Sequence, residues 1–221
     1  MVVDTATLSK LSYFAGLPPA ELEFARQSFF EKNVPRGDLI FMEEEPADSL
    51  YFLISGVVKL FKTSAQGKEQ IISLARPGDV LNDISIFDGG PNEVSAQSVS
   101  PVLLYGIKKE RFDSLMQKYP QMTGRIVKAL AAHTRQLITL VEDLSFKHVP
   151  GRVAKILLQT IGNDGAQRLT QQEMANMAGT AREVVARSLK ALDEQGLIKM
   201  ERHSIIILDK SKLTKLAEEA V

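Results

Sequence analysis

The sequence predicts an α+β protein in three parts: a barrel of short strands, one long helix, and a C-terminal winged helix-turn-helix. Three observations lead there. Short apolar runs alternate with turn residues between about Phe29 and Ile107. A seven-residue apolar repeat follows between Ile126 and Leu144. Two T-x-x-E sequences then open a pair of short helices ahead of a final pair of strands. The corresponding domains are expected at residues 1–117, 118–146 and 147–221.

The chain has 221 residues, 44% hydrophobic and 24% charged, which suffices for two modest cores and a connector. No run of about 18 apolar residues occurs, and the start MVVDTATLSKLSYF lacks the basic and apolar regions of a signal peptide. A cytoplasmic protein without a membrane partner is expected. The absence of cysteine excludes disulfides, thiol switches and cysteine-ligated clusters as sensing chemistry. Residues 145–221 carry 12 basic and 9 acidic side chains against 15 and 18 in the rest, so the C-terminal part is the better match for a polyanion.

Strands are expected at Asp38–Met42, Leu50–Ile54 and Val57–Phe61, with turns at Pro35-Arg-Gly37, Gln66-Gly67, Pro77-Gly-Asp79 and Gly89-Gly-Pro91. Many short strands at this spacing read as a sandwich or barrel. Farther on, Ile126, Leu130, His133, Leu137, Leu140 and Leu144 step by four and three, a heptad seam. Such a stripe can lie on the chain's own barrel, but its 3.5-residue period favours an identical partner helix and hence a homodimer. Phe146-Lys-His-Val-Pro-Gly151 interrupts the helix and marks a hinge, because proline disfavours helix at the residue before it. Arg152–Ile161 resumes an amphipathic helix on Val153, Ile156, Leu157 and Ile161, closed by Gly162-Asn-Asp-Gly165.

Thr170 with Glu173 and Thr180 with Glu183 each have the form of a capping box, and Ala178-Gly179 supplies the turn between the two helices. Met174, Met177, Val185, Leu189 and Leu192 are spaced to bury one side of the pair, with small Ala175 allowing close approach. Arg182, Glu183, Ala186, Arg187 and Lys190 are left facing outward. Arginine can grip guanine O6 and N7 with two bonds, and a carboxylate can accept from cytosine N4, so this face suits the major groove of double-stranded DNA. Thr170, Thr180, Ser188 and Lys190 are assigned to the phosphate backbone. Gly196–Leu208 reads as two strands around a turn, the wing.

The segment from Thr170-Gln-Gln-Glu-Met-Ala through Gly179-Thr-Ala-Arg-Glu-Val-Val-Ala-Arg-Ser to Gln195-Gly-Leu-Ile198 closely resembles the CRP/FNR family of bacterial transcription regulators. So do Tyr51–Leu60, Arg76-Pro-Gly-Asp79 and Pro150-Gly-Arg-Val-Ala154, and the likeness spans nearly the whole chain. The resemblance implies a cyclic-nucleotide-binding-type barrel of double-stranded β-helix (jelly-roll) form, a dimerisation helix, and RNA polymerase as a partner. It also assigns base reading to Arg182, Glu183 and Arg187, as in the cAMP receptor branch with its TGTGA-like half-site. Two-fold symmetry then calls for half-sites about 34 Å apart.

The resemblance places the nucleotide cassette on Gly78–Ala96, with Asp83 where the family has glutamate. Val94, preceded by Glu93, stands where nucleotide binders carry arginine before Ser95-Ala96. No basic residue lies between Arg76 and Lys108, and a phosphate beside Asp83, Asp88 and Glu93 would be repelled. Leu137 and Ile138 replace the hydroxyl residues that contact adenine in the family. The effector pocket is therefore assigned to Asp83, Val94, Ser95, Leu137 and Ile138, and its occupant is an unidentified small molecule other than cAMP. A neutral or hydrophobic metabolite suits it, and haem, which some family members hold, stays open. Of the three histidines, His133 has a simpler role setting register in the seam, His148 in a solvated hinge, and His203 at the wing tip.

No metal site is expected, since Glu43-Glu-Glu45 before Pro46 has no spaced partner. No G-x-S-x-G, P-loop or H-E-x-x-H element supports an enzyme. The competing reading is an effector-binding module whose winged helix contacts protein rather than DNA. Outward Arg182 and Arg187 argue for DNA.

Overall fold

A computed structural model describes residues 3–161, 169–201 and 204–219. Helices α1 (Thr5–Leu8) and α2 (Pro19–Arg26) precede strands β1 (Phe29–Val34), β2 (Leu39–Phe41), β3 (Ser49–Ser55), β4 (Val58–Thr63), β5 (Glu69–Ala75) and β6 (Val80–Leu81). Helix α3 (Asp83–Asp88), strands β7 (Ser95–Ser98) and β8 (Val102–Lys108), and helices α4 (Lys109–Lys118), α5 (Thr123–Phe146) and α6 (Val149–Ile161) follow. The C-terminal part contains α7 (Gln171–Ala178), α8 (Arg182–Glu194), β9 (Ile198–Glu201), β10 (Ser204–Ile207) and α9 (Lys210–Glu218). These elements form two compact units, residues 1–62 with 73–135 and residues 63–72 with 136–221. Among the described residues no helix is long and apolar enough to cross a membrane.

The barrel is two four-stranded sheets, ordered β1-β8-β3-β6 and β2-β7-β4-β5. Strand β8 runs antiparallel to both neighbours, placing Phe29 opposite Ile107 and Tyr51 opposite Gly106. Strand β3 is apolar without alternation because both of its faces are covered. Leu50 and Phe52 join a core with the helices, whereas Tyr51 and Leu53 fill the barrel interior. Strand β8 divides the same way, with Tyr105 and Ile107 on the helical side and Val102 and Leu104 inside.

The helical side also claims part of α5. Ile126 is buried in that core, and Ala129 and Leu130 pack against it, so the first half of the expected seam belongs to the chain's own barrel. This corrects the assignment of Ile126 and Leu130 to a dimer contact: one apolar period serves either partner, and intrachain packing takes this half. The stripe left in solvent is Val127, Ala131, Thr134, Ile138 and Val141, one position along the helix from the expected seam and with the same four–three step. Val127, Ile138 and Val141 are 59%, 62% and 63% exposed, and Leu137 and Leu144 lie beside them, also exposed. Leu140 is half-buried.

The chain turns from α5 into α6 at Lys147-His148, and α6 starts at Val149 rather than Arg152. Pro150 is tolerated in that first turn because its missing N–H has no helical acceptor there. Val153, Ile156 and Leu157 then enter the C-terminal core with Met174, Ala175, Val185, Leu189, Leu192 and Ile198, and Met177 packs at its margin. The side chain of Ile161, the segment Gly162–Gly165 and the wing-tip His203 lie outside the described residues. Thr170 forms the expected capping box with Glu173. The second box does not form: α8 is capped by Ala181 without a side-chain bond. Gly179 closes α7 in the left-handed region (φ 62°), and the Thr180 N–H bonds back to the Ala175 carbonyl. That bond holds Thr180 in the turn, one residue short of the cap.

Candidate nucleic-acid interface and sensor site

Helix α8 is two-sided. Val185, Leu189 and Leu192 are buried beneath it, which turns Arg182, Glu183, Arg187 and Lys190 into solvent. The two arginines are five residues apart, more than one turn along the helix, so their guanidinium groups can address different base pairs. Lys190 lies 3.6 Å from Glu194, an exposed i,i+4 pair too weak to keep it from a phosphate. Thr170 is exposed, although its hydroxyl is engaged with Glu173. Thr180 is half-buried in the turn. Ser188 is 6% exposed and donates its hydroxyl to the Val184 carbonyl at 2.9 Å. It faces the core with Val185 and Leu189, and its assignment to the DNA backbone is withdrawn.

In the barrel, Asn82 adopts a left-handed conformation (φ 68°), which asparagine tolerates, and sends Asp83 into the interior at the start of α3. The Asp83 carboxylate is 5% exposed and fully engaged. Its Oδ1 accepts the Ile84 N–H at 3.1 Å, and its Oδ2 accepts the Tyr13 hydroxyl at 2.9 Å and lies 3.4 Å from His133 Nδ1. Burial, reinforced by the Asp83 charge, pushes the Tyr13 phenol far above its ordinary value, so Tyr13 is a permanent donor. Asp83 beside it raises the His133 imidazole above its ordinary value against the opposing effect of burial, with Asp79 adding to the rise. His133 thus takes part in this intrachain contact.

Of the remaining pocket residues, Ser95 is buried and its hydroxyl accepts the Glu43 N–H at 3.0 Å, Val94 is half-buried, and Leu137 and Ile138 are exposed on α5. The structure joins Asp83 to His133; it does not assemble an anion site. The carboxylate that a ribose hydroxyl would need is taken by Tyr13 and His133. The cassette also offers no basic side chain to a phosphate. These residues do not fit cAMP. Among the described residues no cluster of histidine, aspartate and glutamate could hold a metal ion.

Sequence reading did not reach Tyr13, seventy residues from its carboxylate. It also missed Asp143, which is buried between Lys147 at 2.9 Å and Lys155 in close contact. The i,i+4 spacing of Asp143 and Lys147 was the one available signal.

A two-sheet barrel followed by a long helix, and an arginine-bearing helix on a winged core, define the class of DNA-binding regulators. A cyclic nucleotide-binding domain model matches residues 31–119, and a Crp-like helix-turn-helix domain model matches residues 151–216. The chain is 32% identical to the CRP-like cAMP-activated global transcriptional regulator of Mycobacterium tuberculosis, over 95% of this chain and 98% of that protein. It is 30% identical to the cyclic AMP receptor protein of Thermus thermophilus, over 92% and 95%. A transcriptional regulator of the CRP/FNR family from Eubacterium rectale shares the fold, with a TM-score of 0.80, 24% identity, and 94% and 99% of the two chains covered. The chain belongs to the CRP/FNR family of DNA-binding transcription regulators, which are not enzymes.

Proposed function

We propose that this protein is a cytoplasmic homodimer that binds a TGTGA-like inverted repeat and whose DNA affinity is set by its barrel through an effector other than cAMP. The observation that carries this reading is the exposed Arg182–Glu183–Arg187 face of α8, held outward by a core on its other side. Arg182 and Arg187 supply the bidentate guanine contacts and Glu183 the cytosine contact, while Thr170, Thr180 and Lys190 stay with the backbone. The exposed stripe Val127, Ala131, Thr134, Ile138 and Val141 is the dimer contact, because a largely apolar four–three row left in solvent is completed by a copy of the same helix. Two copies of α8 then read half-sites about 34 Å apart. RNA polymerase is the expected partner at promoters.

The occupied Asp83 and the uncharged Val94 argue against a cyclic phosphate, so a neutral metabolite is the effector class favoured here. The test is duplex binding over a salt series with the inverted repeat and with a scrambled site. Specific binding should weaken steeply with salt. Arg187→Ala should cost roughly 1–3 kcal/mol at one base-pair position. A uniform loss on both duplexes would show that Arg187 touches only phosphate, and no duplex binding at low salt would favour a protein-binding winged helix.

A further inference from the structure

Three features fix the place of His133. Ile126, Ala129 and Leu130 hold the first turns of α5 to the helical side of the barrel. His133 is half-buried one turn later, and every residue from Thr134 to Thr139 is exposed. His133 is therefore the last attachment of this helix to its own barrel before that exposed run. Its partner, Asp83, is anchored from behind by Tyr13, which is itself fully buried among Phe52, Phe87 and Phe112.

We propose that Tyr13, Asp83 and His133 form a proton-operated latch that holds α5 to the barrel while the imidazole is charged and slackens when it is neutral. The two charges that act on the imidazole from elements packed against it, Asp83 of α3 and Asp79 of the turn before β6, are both negative. Tyr13 stays protonated and keeps Asp83 oriented, so His133 is the member that changes charge near neutral pH. The sign follows from linkage. A group whose folded-state value is raised adds its full stabilisation below its unfolded value of about 6.5 and loses it as pH rises through the folded value. The latch is closed on the acid side and opens toward alkaline pH. A proton thereby becomes an input to the same sensor, a consequence for DNA affinity that rests on the regulator reading above.

The test is backbone hydrogen exchange of residues 126–135 in the full-length protein at about pH 6 and about pH 9, corrected for intrinsic exchange, a range that spans the titration of histidine. In the unsubstituted protein, protection should fall about fivefold on the alkaline side, the equilibrium change expected of a partly exposed charged pair. His133→Gln should show the low protection at both values. Asp83→Asn keeps an acceptor for Tyr13 and should lower the titration of the imidazole, followed by NMR. Protection that is independent of pH in the unsubstituted protein, or equally dependent in His133→Gln, would overturn the latch. Failure to bind any duplex at either pH would count against the regulator reading, and the exchange data would still decide the latch.

Discussion

At Gly56 the backbone lies at φ 90°, and a Cβ there would sit 2.3 Å from the Pro101 carbonyl oxygen. Both the conformation and the space demand glycine. Gly56→Ala should cost about 3 kcal/mol, combining left-handed strain with a clash against backbone that cannot move aside. Gly67, at φ 79° with nothing within 4 Å, provides the control, and its alanine variant should lose only about 1 kcal/mol. Urea midpoints of the two variants check this, and equal losses would mean that Pro101 yields. Residue-scale chemistry was legible where it depends on neighbours in sequence. Gly67 was marked by its turn and Thr170 by Glu173. Tyr13 and Ser188 were not, because pairing across seventy residues and a hydroxyl turned back onto its own helix leave no local pattern.

Arg152 of α6 closes the α5–α6 junction. Arg152 Nη1 donates to the Lys147 carbonyl at 2.7 Å and reaches those of Leu144 and Asp143, satisfying the end of α5, while Lys147 Nζ donates to the Ala217 carbonyl. Burial opposes ionisation of Asp143, yet Lys155 and Lys147 hold its carboxyl below the ordinary range. Its contribution is present above the unfolded value of about 3.9 and is lost as pH falls through the lower folded value. Asp143→Ala should destabilise the protein by about 2 kcal/mol at pH 7 and by much less near pH 2, because the cations lose their partner only where it was charged. Thermal unfolding at the two values measures the difference; an equal loss at both would assign Asp143 a packing role. Pro150 announced this junction in the sequence, but the contacts made there were not legible. They come from Asp143 and Arg152, which helical periodicity marks only as polar. Periodicity likewise identified α5 but not its division. Ile126 and Leu130 satisfy a four–three repeat equally well against a barrel or a second helix, and only the folded barrel decides between them.

For the whole molecule, that division bears on how two copies would meet in the proposed dimer. If the dimer contact is the exposed row, Val141→Glu places a charge in it without touching the buried core of either unit. Sedimentation should then show a monomer at concentrations where the unsubstituted protein is a dimer, with the urea midpoint of each subunit little changed. Affinity for the inverted repeat should fall roughly a hundredfold or more, since the second half-site is no longer bound intramolecularly. A single half-site duplex should be bound equally by both proteins. Leu130→Glu would act differently: Leu130 packs on the barrel core, so its charge should lower the unfolding midpoint. A Val141→Glu protein that remains dimeric, beside a Leu130→Glu protein that is monomeric yet as stable as the original, would restore the seam at the register that the heptad alone suggested.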